Sequence, residues 1–182
     1  VTAITLTNAG SGYTTSPTIT ITGDGSSAEV TYNGEDAKLG GNADVRYLTR
    51  KVQLASGFDS GDLRVYLTAY KPPQGQIYVY AKYLASGDPE KFEDKNWSLL
   101  TQIGGGNFVS ADESDYREMT FAPGTGNVEA NRINYTTSSG VTYTTFATFA
   151  IKVVMTSSDH TFVPFVNDLR ALALPSNVNT TV

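Results

Sequence analysis

The sequence predicts an all-β protein, with a small glycine-rich β unit followed by a jelly-roll-like antiparallel β-sandwich. The chain of 182 residues contains 11 tyrosines and 17 glycines, and tyrosine and threonine favour strands whereas glycine favours the turns between them. Short runs alternate apolar and polar residues with a period of two, which is typical of half-buried strands. Turn signals separate roughly eight such runs, a spacing typical of β-sandwiches.

The composition divides the chain into four parts. Residues 1–34 are rich in glycine and threonine, residues 35–44 form a charged, glycine-rich linker, residues 45–175 form the sandwich, and residues 176–182 are a polar tail. The first part is shorter than the ~40 residues at which a domain normally folds alone. We therefore expect its apolar face to be completed by other copies, in a repeat array or around a three-fold axis. Because the sequence begins with valine, we also expect a fragment or a processed form.

The clearest strand signals are two runs joined by the loop "KPPQGQ". The runs at 63–70 and 77–84 place apolar residues at every second position, so one face of each should meet the core. We predict that these two strands pair with each other as a β-hairpin. Their core-facing residues are Val65, Leu67, Ala69, Ile77, Val79 and Ala81.

Other strands flank this hairpin. A strand at 46–55 has Leu48, Val52 and Leu54 on one side, and the segment 88–100 holds at most a helical turn. The run 168–174 fits a strand or a helix by its apolar count, and we interpret it as a strand. A strand is expected at 117–124, and a hairpin at 133–146 with Tyr135 close to Tyr143. The strand expected at 146–157 has Phe149, Ile151, Val153 and Met155 buried. In the strand at 168–174, one face has Leu169, Ala171 and Ala173, and the other has Asp168 and Arg170.

The outer face of the predicted hairpin is the candidate binding surface. If the two strands are neighbours, their outward side chains form one patch of aromatic rings with polar tips. Tyrosine and arginine are common at interface hot spots. The alternative is that cross-strand tyrosine pairs only stiffen an exposed sheet. Trp97 is a further candidate, for stacking on a sugar, with a partly buried core residue as the alternative. The hairpin residues are Arg64, Tyr66, Thr68, Tyr70, Tyr78, Tyr80 and Lys82.

The composition argues against several classes of function. The formal charge of −5 with scattered lysines and arginines disfavours a nucleic-acid partner. No apolar run reaches the ~18 residues of a membrane span, so we expect no membrane insertion. The chain lacks cysteine and has one histidine, His160, in a predicted loop, which disfavours thiol catalysis, a serine triad and a zinc site. We predict a protein that is not an enzyme and has no cofactor.

A structural cation such as calcium is the alternative that the loops leave open, because calcium requires only oxygen ligands. Carboxylates cluster in three loops, although none matches the spacing of an EF-hand. Solvated acidic loops are the simpler interpretation. The clusters are Asp59 with Asp62, Asp88 with Glu90, Glu93 and Asp94, and Asp112 with Glu113 and Asp115.

Two parts of the sequence resemble proteins of tailed bacteriophages. The stretch "GSGYTTSPTITITGDGSSAEV" is similar to a glycine-rich β repeat of phage structural proteins. The stretches "YLTRKVQLASGFDSGDLRVYLTAYKPPQGQIYVYAKYL", "DPEKFEDKNW", "FAPGTG" and "FAIKVVMTSSDHTFVPFVNDLRALALP" resemble the carboxy-terminal region of virion proteins of large contractile-tailed phages, particularly those of marine cyanobacteria. The resemblance implies a component of the tail, the baseplate or a fibre. It transfers no catalytic or binding residues.

Two hypotheses of function follow from these observations. The first is a structural virion protein, assembled in the host cytoplasm, whose partners are further copies of itself as a trimer and other virion proteins. The second is a carbohydrate-binding module of a receptor-binding fibre that contacts host surface glycans. The aromatic candidates for glycan stacking are Tyr66, Tyr78, Tyr80 and Trp97.

Overall fold

The structure, a computed structural model, describes residues 34–41, 43, 45–124 and 133–175. Backbone contacts divide the chain into two compact units, residues 1–31 and 32–182. The strands predicted within 1–33 and the tail predicted at 176–182 lie outside the described residues. The described strands are β1 Val45–Leu48, β2 Val52–Gln53, β3 Asp62–Tyr70, β4 Gly75–Leu84, β5 Ser98–Leu99, β6 Thr101–Gly104, β7 Arg117–Ala122, β8 Tyr135–Thr136, β9 Thr142–Tyr143, β10 Thr148–Ser157 and β11 Phe165–Leu174, with a 3₁₀ helix at Phe92–Asp94.

The long strands form two antiparallel sheets. In the first sheet the order is β1, β10, β4 and β5, and β2 also pairs with β10 beyond the end of β1. In the second sheet the order is β11, β3, β7 and β6. The strands β8 and β9 form a separate hairpin, in which the rings of Tyr135 and Tyr143 stack 5.7 Å apart. The predicted all-β class and antiparallel sandwich are confirmed, and the jelly-roll connection of the strands stays a prediction.

The main core lies between the two sheets. Alternate residues of β3 and β4 are buried there, as their period-two pattern predicts. The strand β10 pairs with β4 along ten residues and contributes Phe149, Ile151 and Val153 to the same core. The run predicted at 168–174 is a strand, and its Leu169 and Ala171 pack against the edge of this core.

The strand β10 is also buried on its outer face. Ala150 and Val154 belong to a second apolar cluster together with Ala43, Phe92 and Trp97. The first sheet is therefore covered on both sides, which explains why the sequence of β10 is almost continuously apolar.

The predicted linker at 35–44 is packed against the first sheet at its described residues. Glu35 and Ala43 are buried, and the carbonyl of Asp36 accepts a hydrogen bond of 2.7 Å from the Trp97 N–H. Charge and glycine content predicted a linker, and in the structure the charge of Glu35 is paired with Lys152 inside the fold.

The predicted pairing of the 63–70 and 77–84 strands is wrong. The strand β3 pairs with β11 and β7, whereas β4 pairs with β10 and β5 in the other sheet. The connection between them contains Pro72 and Pro73, which have no N–H to donate to a ladder. Crossing between sheets lets the two apolar faces meet each other across the core.

The strand predicted at 46–55 is divided into β1 and β2. Leu48 lies opposite Lys152, on the outer face of β10, whereas Val52 lies opposite Phe149, on the inner face. These two residues therefore do not share a side, and only Leu54 packs against the main core. Both short strands lie along one edge of β10, at the margin of the first sheet.

Gly105 and Gly106 provide a test of the close packing between β6 and β7. Both have positive φ, +86° and +62°, but a Cβ on Gly105 would lie 2.3 Å from the Glu118 carbonyl oxygen, whereas a Cβ on Gly106 meets nothing within 4 Å. We expect Gly106→Ala to lower the free energy of unfolding by about 1 kcal/mol and Gly105→Ala by about 3 kcal/mol. Urea unfolding of both variants measures the difference, and equal losses would contradict the packing.

Candidate functional site

The fold places the predicted patch residues on two separate surfaces. Because β3 and β4 belong to different sheets, their outward side chains lie on opposite outer faces of the sandwich. The single patch expected from a hairpin therefore does not form. The residues fall into one group of Arg64, Tyr66, Thr68 and Tyr70 on the second sheet, and another of Tyr78, Tyr80, Lys82 and Trp97 on the first sheet.

The group on the second sheet is a set of paired charges and packed rings. Arg64 forms an ion pair of 2.6 Å with Asp62. The guanidinium of Arg170, on the neighbouring strand β11, lies 5.2 Å from the centre of the Tyr66 ring. Tyr70 is buried and stacks on Phe165 with ring centres 6.0 Å apart. These contacts agree with the interpretation that tyrosines stiffen this sheet.

Most of the group on the first sheet comes together around two lysines and is buried, whereas Tyr78 is half-buried beside it. We call Glu35, Tyr80, Lys82, Phe92, Trp97 and Lys152 the lysine–aromatic cluster. The Nζ of Lys152 lies 4.6 Å from the centre of the Tyr80 ring and 5.2 Å from that of Trp97. The Nζ of Lys82 lies 4.9 Å from the centre of the Trp97 ring. Cations above ring faces are stabilised by the quadrupole of the ring. Trp97 is therefore a core residue, as its alternative interpretation predicts.

A buried ion pair holds the cluster together. Lys152 is 0% exposed and Glu35 is 1% exposed. The Nζ of Lys152 donates to Glu35 Oε2 at 2.8 Å and to the Glu35 carbonyl oxygen, while Glu35 Oε1 accepts the Ala43 N–H at 2.9 Å. Burial by itself raises the pKa of Glu35, but the hydrogen bonds from Lys152 and Ala43 outweigh it and hold the pKa below its ordinary value.

Lys82 is bound to a backbone carbonyl of the same segment, residues 35–41. Its Nζ donates to the Lys38 carbonyl oxygen at 2.8 Å, and burial lowers the pKa of Lys82. Gly41 makes the arrangement sterically possible, because a Cβ at this position would lie 2.1 Å from Glu35 Oε1. The two lysines thus tie residues 35–41 to β4 and β10.

The sequence interpretation missed Glu35 and Lys152. The signal for Lys152 is its position in the run "FAIKVVM", where a charge in a strand apolar on both faces requires a buried partner. No sequence signal identifies Glu35 as that partner, because it lies 117 residues away in a segment rich in charge and glycine.

A further buried lysine, Lys95, occupies one of the predicted calcium loops. Lys95 forms ion pairs with Asp88 and with Glu90, the latter at 2.5 Å, and lies 5.1 Å from the centre of the Tyr135 ring. The hydrogen bonds from Lys95 and Ser138 lower the pKa of Glu90 to about 2. These carboxylates therefore bind a cationic side chain that joins the loop to the β8–β9 hairpin.

The other acidic loops also use their carboxylates within the fold. Asp59 accepts hydrogen bonds from Ser86, and Asp115 pairs with Arg117 at 2.8 Å. Among the described residues, no group of three or more histidine, aspartate or glutamate side chains is placed to hold a metal ion. His160 has a side chain that is 97% exposed and lies in a loop, as predicted.

One surface depression has a volume of about 470 Å³ and includes Glu90 and Asp94 in its lining. Glu90 is bound to Lys95, and Asp94 lies 3.4 Å from the Nζ of Lys38. Both acids are therefore already paired with cations of the same chain.

One margin of the sandwich is open, and we call it the open side. It is formed by β1 and β2 of the first sheet and β11 of the second. The opposite margin is closed, because Leu100 alone connects β5 to β6 across the two sheets. On the open side, Val45, Tyr47 and Val52 lie opposite inward-facing residues of β10, yet they are 44%, 56% and 41% exposed. Apolar side chains that face inward thus reach solvent here.

No protein-family model, curated protein or solved structure matches this chain. In the part of the chain that the structure describes, no helix is long and apolar enough to cross a membrane.

A double-mutant cycle tests the buried ion pair. Removing one member of such a pair leaves the other charge buried, at a cost of about 3–5 kcal/mol. We expect this loss in unfolding free energy for Glu35→Gln and for Lys152→Met, and a loss in the double variant well below their sum. The exposed pair of Lys51 and Glu93 is the matched control, and Lys51→Met with Glu93→Gln should change stability little. Similar losses at the two pairs would contradict the burial.

Acid titration tests the same pair through Glu35. Since the pKa of Glu35 is lowered in the folded state, its ionised form stabilises the fold above the ordinary carboxyl pKa of about 4.3, and this contribution is lost as the pH falls through the lowered value. The urea midpoint of the wild type should therefore exceed that of Glu35→Gln near neutral pH, and the gap should narrow in acid. A constant gap down to about pH 2 would refute the linkage.

Proposed function

We propose that this chain is a non-enzymatic structural component of a tailed-bacteriophage particle, located in the tail, the baseplate or a fibre. It assembles through β-rich surfaces with further copies of itself and with other virion proteins. Two independent features support the proposal: the sequence resemblance to phage structural proteins and the open side of the sandwich.

The exposure of Val45, Tyr47 and Val52 is the observation on which the assembly role depends. Their positions on β1 and β2 point toward the space between the sheets, where other alternate residues are almost fully buried. An apolar margin left uncovered in the single chain is typical of a surface that another protein covers.

The buried lysines support a structural role. Lys82, Lys95 and Lys152 are buried, and each binds carbonyl or carboxylate oxygens of the same chain. A virion component requires stability against physical stress, and side chains that tie segments to a sheet serve that requirement.

Glycan binding is the second candidate and receives less support. Tyr80 and Trp97 are buried within the lysine–aromatic cluster, so their ring faces are not accessible to a sugar. Tyr66 on the second sheet and Tyr78 on the first are the half-buried rings that remain among the candidates, and Arg170 lies over Tyr66. If host glycans bind this surface, binding should disappear in Tyr66→Ala and persist in the conservative Tyr80→Phe.

The phage that encodes the chain provides the test of the proposed function. We expect mass spectrometry of purified particles to find the chain at a fixed whole-number copy count. Cryo-electron microscopy should show the two-sheet sandwich in the tail region. Absence of the chain from intact particles would refute the structural role, whereas catalytic turnover by the purified chain would refute its non-enzymatic nature.

A further inference from the structure

We propose that β11 pairs antiparallel with β11 of a second copy, in a two-fold dimer whose register is centred on Leu169. The inference rests on the proposed self-association and specifies its surface, geometry and number of copies. It replaces the trimer that the sequence led us to expect for the chain.

The strand β11 is the long uncovered edge among the described strands. It spans ten residues and pairs with β3 on one side, while no described strand pairs with its other side. The other margins are formed by strands of two to four residues, β1, β2, β5 and β6. Short edges discourage pairing with another chain. The strand β11 is long and has no lysine or proline, and its bulge and the charges of Asp168 and Arg170 restrict pairing to a partner that complements them.

The charges of β11 select one register. When two identical strands pair antiparallel, the two-fold axis is perpendicular to the joined sheet. Opposed residues then lie on the same face only if the axis passes beside one residue, not between two. With the axis at Leu169, Asp168 lies opposite the partner's Arg170, and Arg170 lies opposite the partner's Asp168. An axis at Asp168 or at Arg170 would instead place identical charges opposite each other, which is destabilising.

The apolar residues of β11 agree with the same register. The ladder between β11 and β3 has a bulge between Val166 and Asp168, so Asn167 is an extra residue. If the pairing between the two copies also skips Asn167, Val166 lies opposite the partner's Ala171 on the inner face. Phe165 lies opposite the partner's Leu172 on the outer face. In the single chain the side chains of Phe165 and Leu172 are 51% and 49% exposed.

The dimer also accounts for the rest of the open side. The strands β1 and β2 lie at the same margin as β11, so a second sandwich placed there covers part of Val45, Tyr47 and Val52. Joining the two second sheets gives one continuous sheet of eight strands, from β6 of one copy to β6 of the other.

Sedimentation analysis of the full chain tests the proposal. We expect the mass of two copies of the 19.5 kDa chain at micromolar concentration. Asp168→Arg gives a strand with two positive charges, and Arg170→Asp gives one with two negative charges. Each variant alone should dimerise about ten-fold more weakly or worse. An equimolar mixture of the two variants should form mixed dimers, because every opposed pair is then of opposite charge.

The mixture separates the contact between copies from effects within one chain. Both substitutions disturb the ion pair of Arg170 with Asp168 in the same chain, but mixing cannot repair that pair. Arg117→Asp, an exposed charge on the interior strand β7, is the control and should leave association unchanged. Melting temperatures confirm that each variant folds.

Three results would overturn the inference. The first is a single-copy mass at about 100 µM, a concentration well above the dissociation constants of specific dimers. The second is a mass of three copies, and the third is a dimer that the charge substitutions do not weaken. A three-copy mass or an insensitive dimer would leave the proposed virion role standing. Only the absence of the chain from particles would remove that role.

Discussion

The ion pair between Lys152 and Glu35 is the contact on which the first sheet depends. A lysine in the middle of a strand buried on both faces carries a large desolvation cost unless its charge is paired. The carboxylate of Glu35 meets this requirement, and it brings residues 35–41 over the outer face of the sheet. The rings of Tyr80 and Trp97 then enclose the lysine. Covering this face converts a two-layer sandwich into one with a partial third layer.

This covering layer also determines which surfaces remain for partners. Tyr80 of β4 is used inside the lysine–aromatic cluster and Tyr83 lies in the main core, so neither ring is available on the outer face of the first sheet. The outer face of the second sheet is occupied by ion pairs around Arg170. Exposed large apolar side chains occur in several loops, but on the described strands they are concentrated on β1, β2 and β11, with Leu99 of β5 as the exception. An edge-to-edge contact is therefore favoured over a face-to-face one.

The sequence was sufficient to predict which face of a strand is buried, but not which strands pair with each other. Period-two alternation identified the buried residues of β3, β4 and β10, because alternation is a property of one strand and its own environment. The predicted pairing of β3 with β4 was wrong. Apolar and polar residues alternate in the same way whether the next strand pairs beside the first or packs against it across the core. The position of Trp97 in the core was among the alternatives, whereas the partnership of Glu35 with Lys152 depends on contacts 117 residues apart.

The same limit applies to the edge of the second sheet, where a local pattern acquires meaning only from its place in the fold. The sequence "DLR" around Leu169 is an ordinary alternation of charge and leucine. Placed on the outermost strand, with β3 behind it, the same three residues become self-complementary about a two-fold axis. On an interior strand such as β7 a similar pattern would meet only neighbours of its own sheet. The proposed pairing between copies thus depends on the topology that leaves β11 last among the described strands of its sheet.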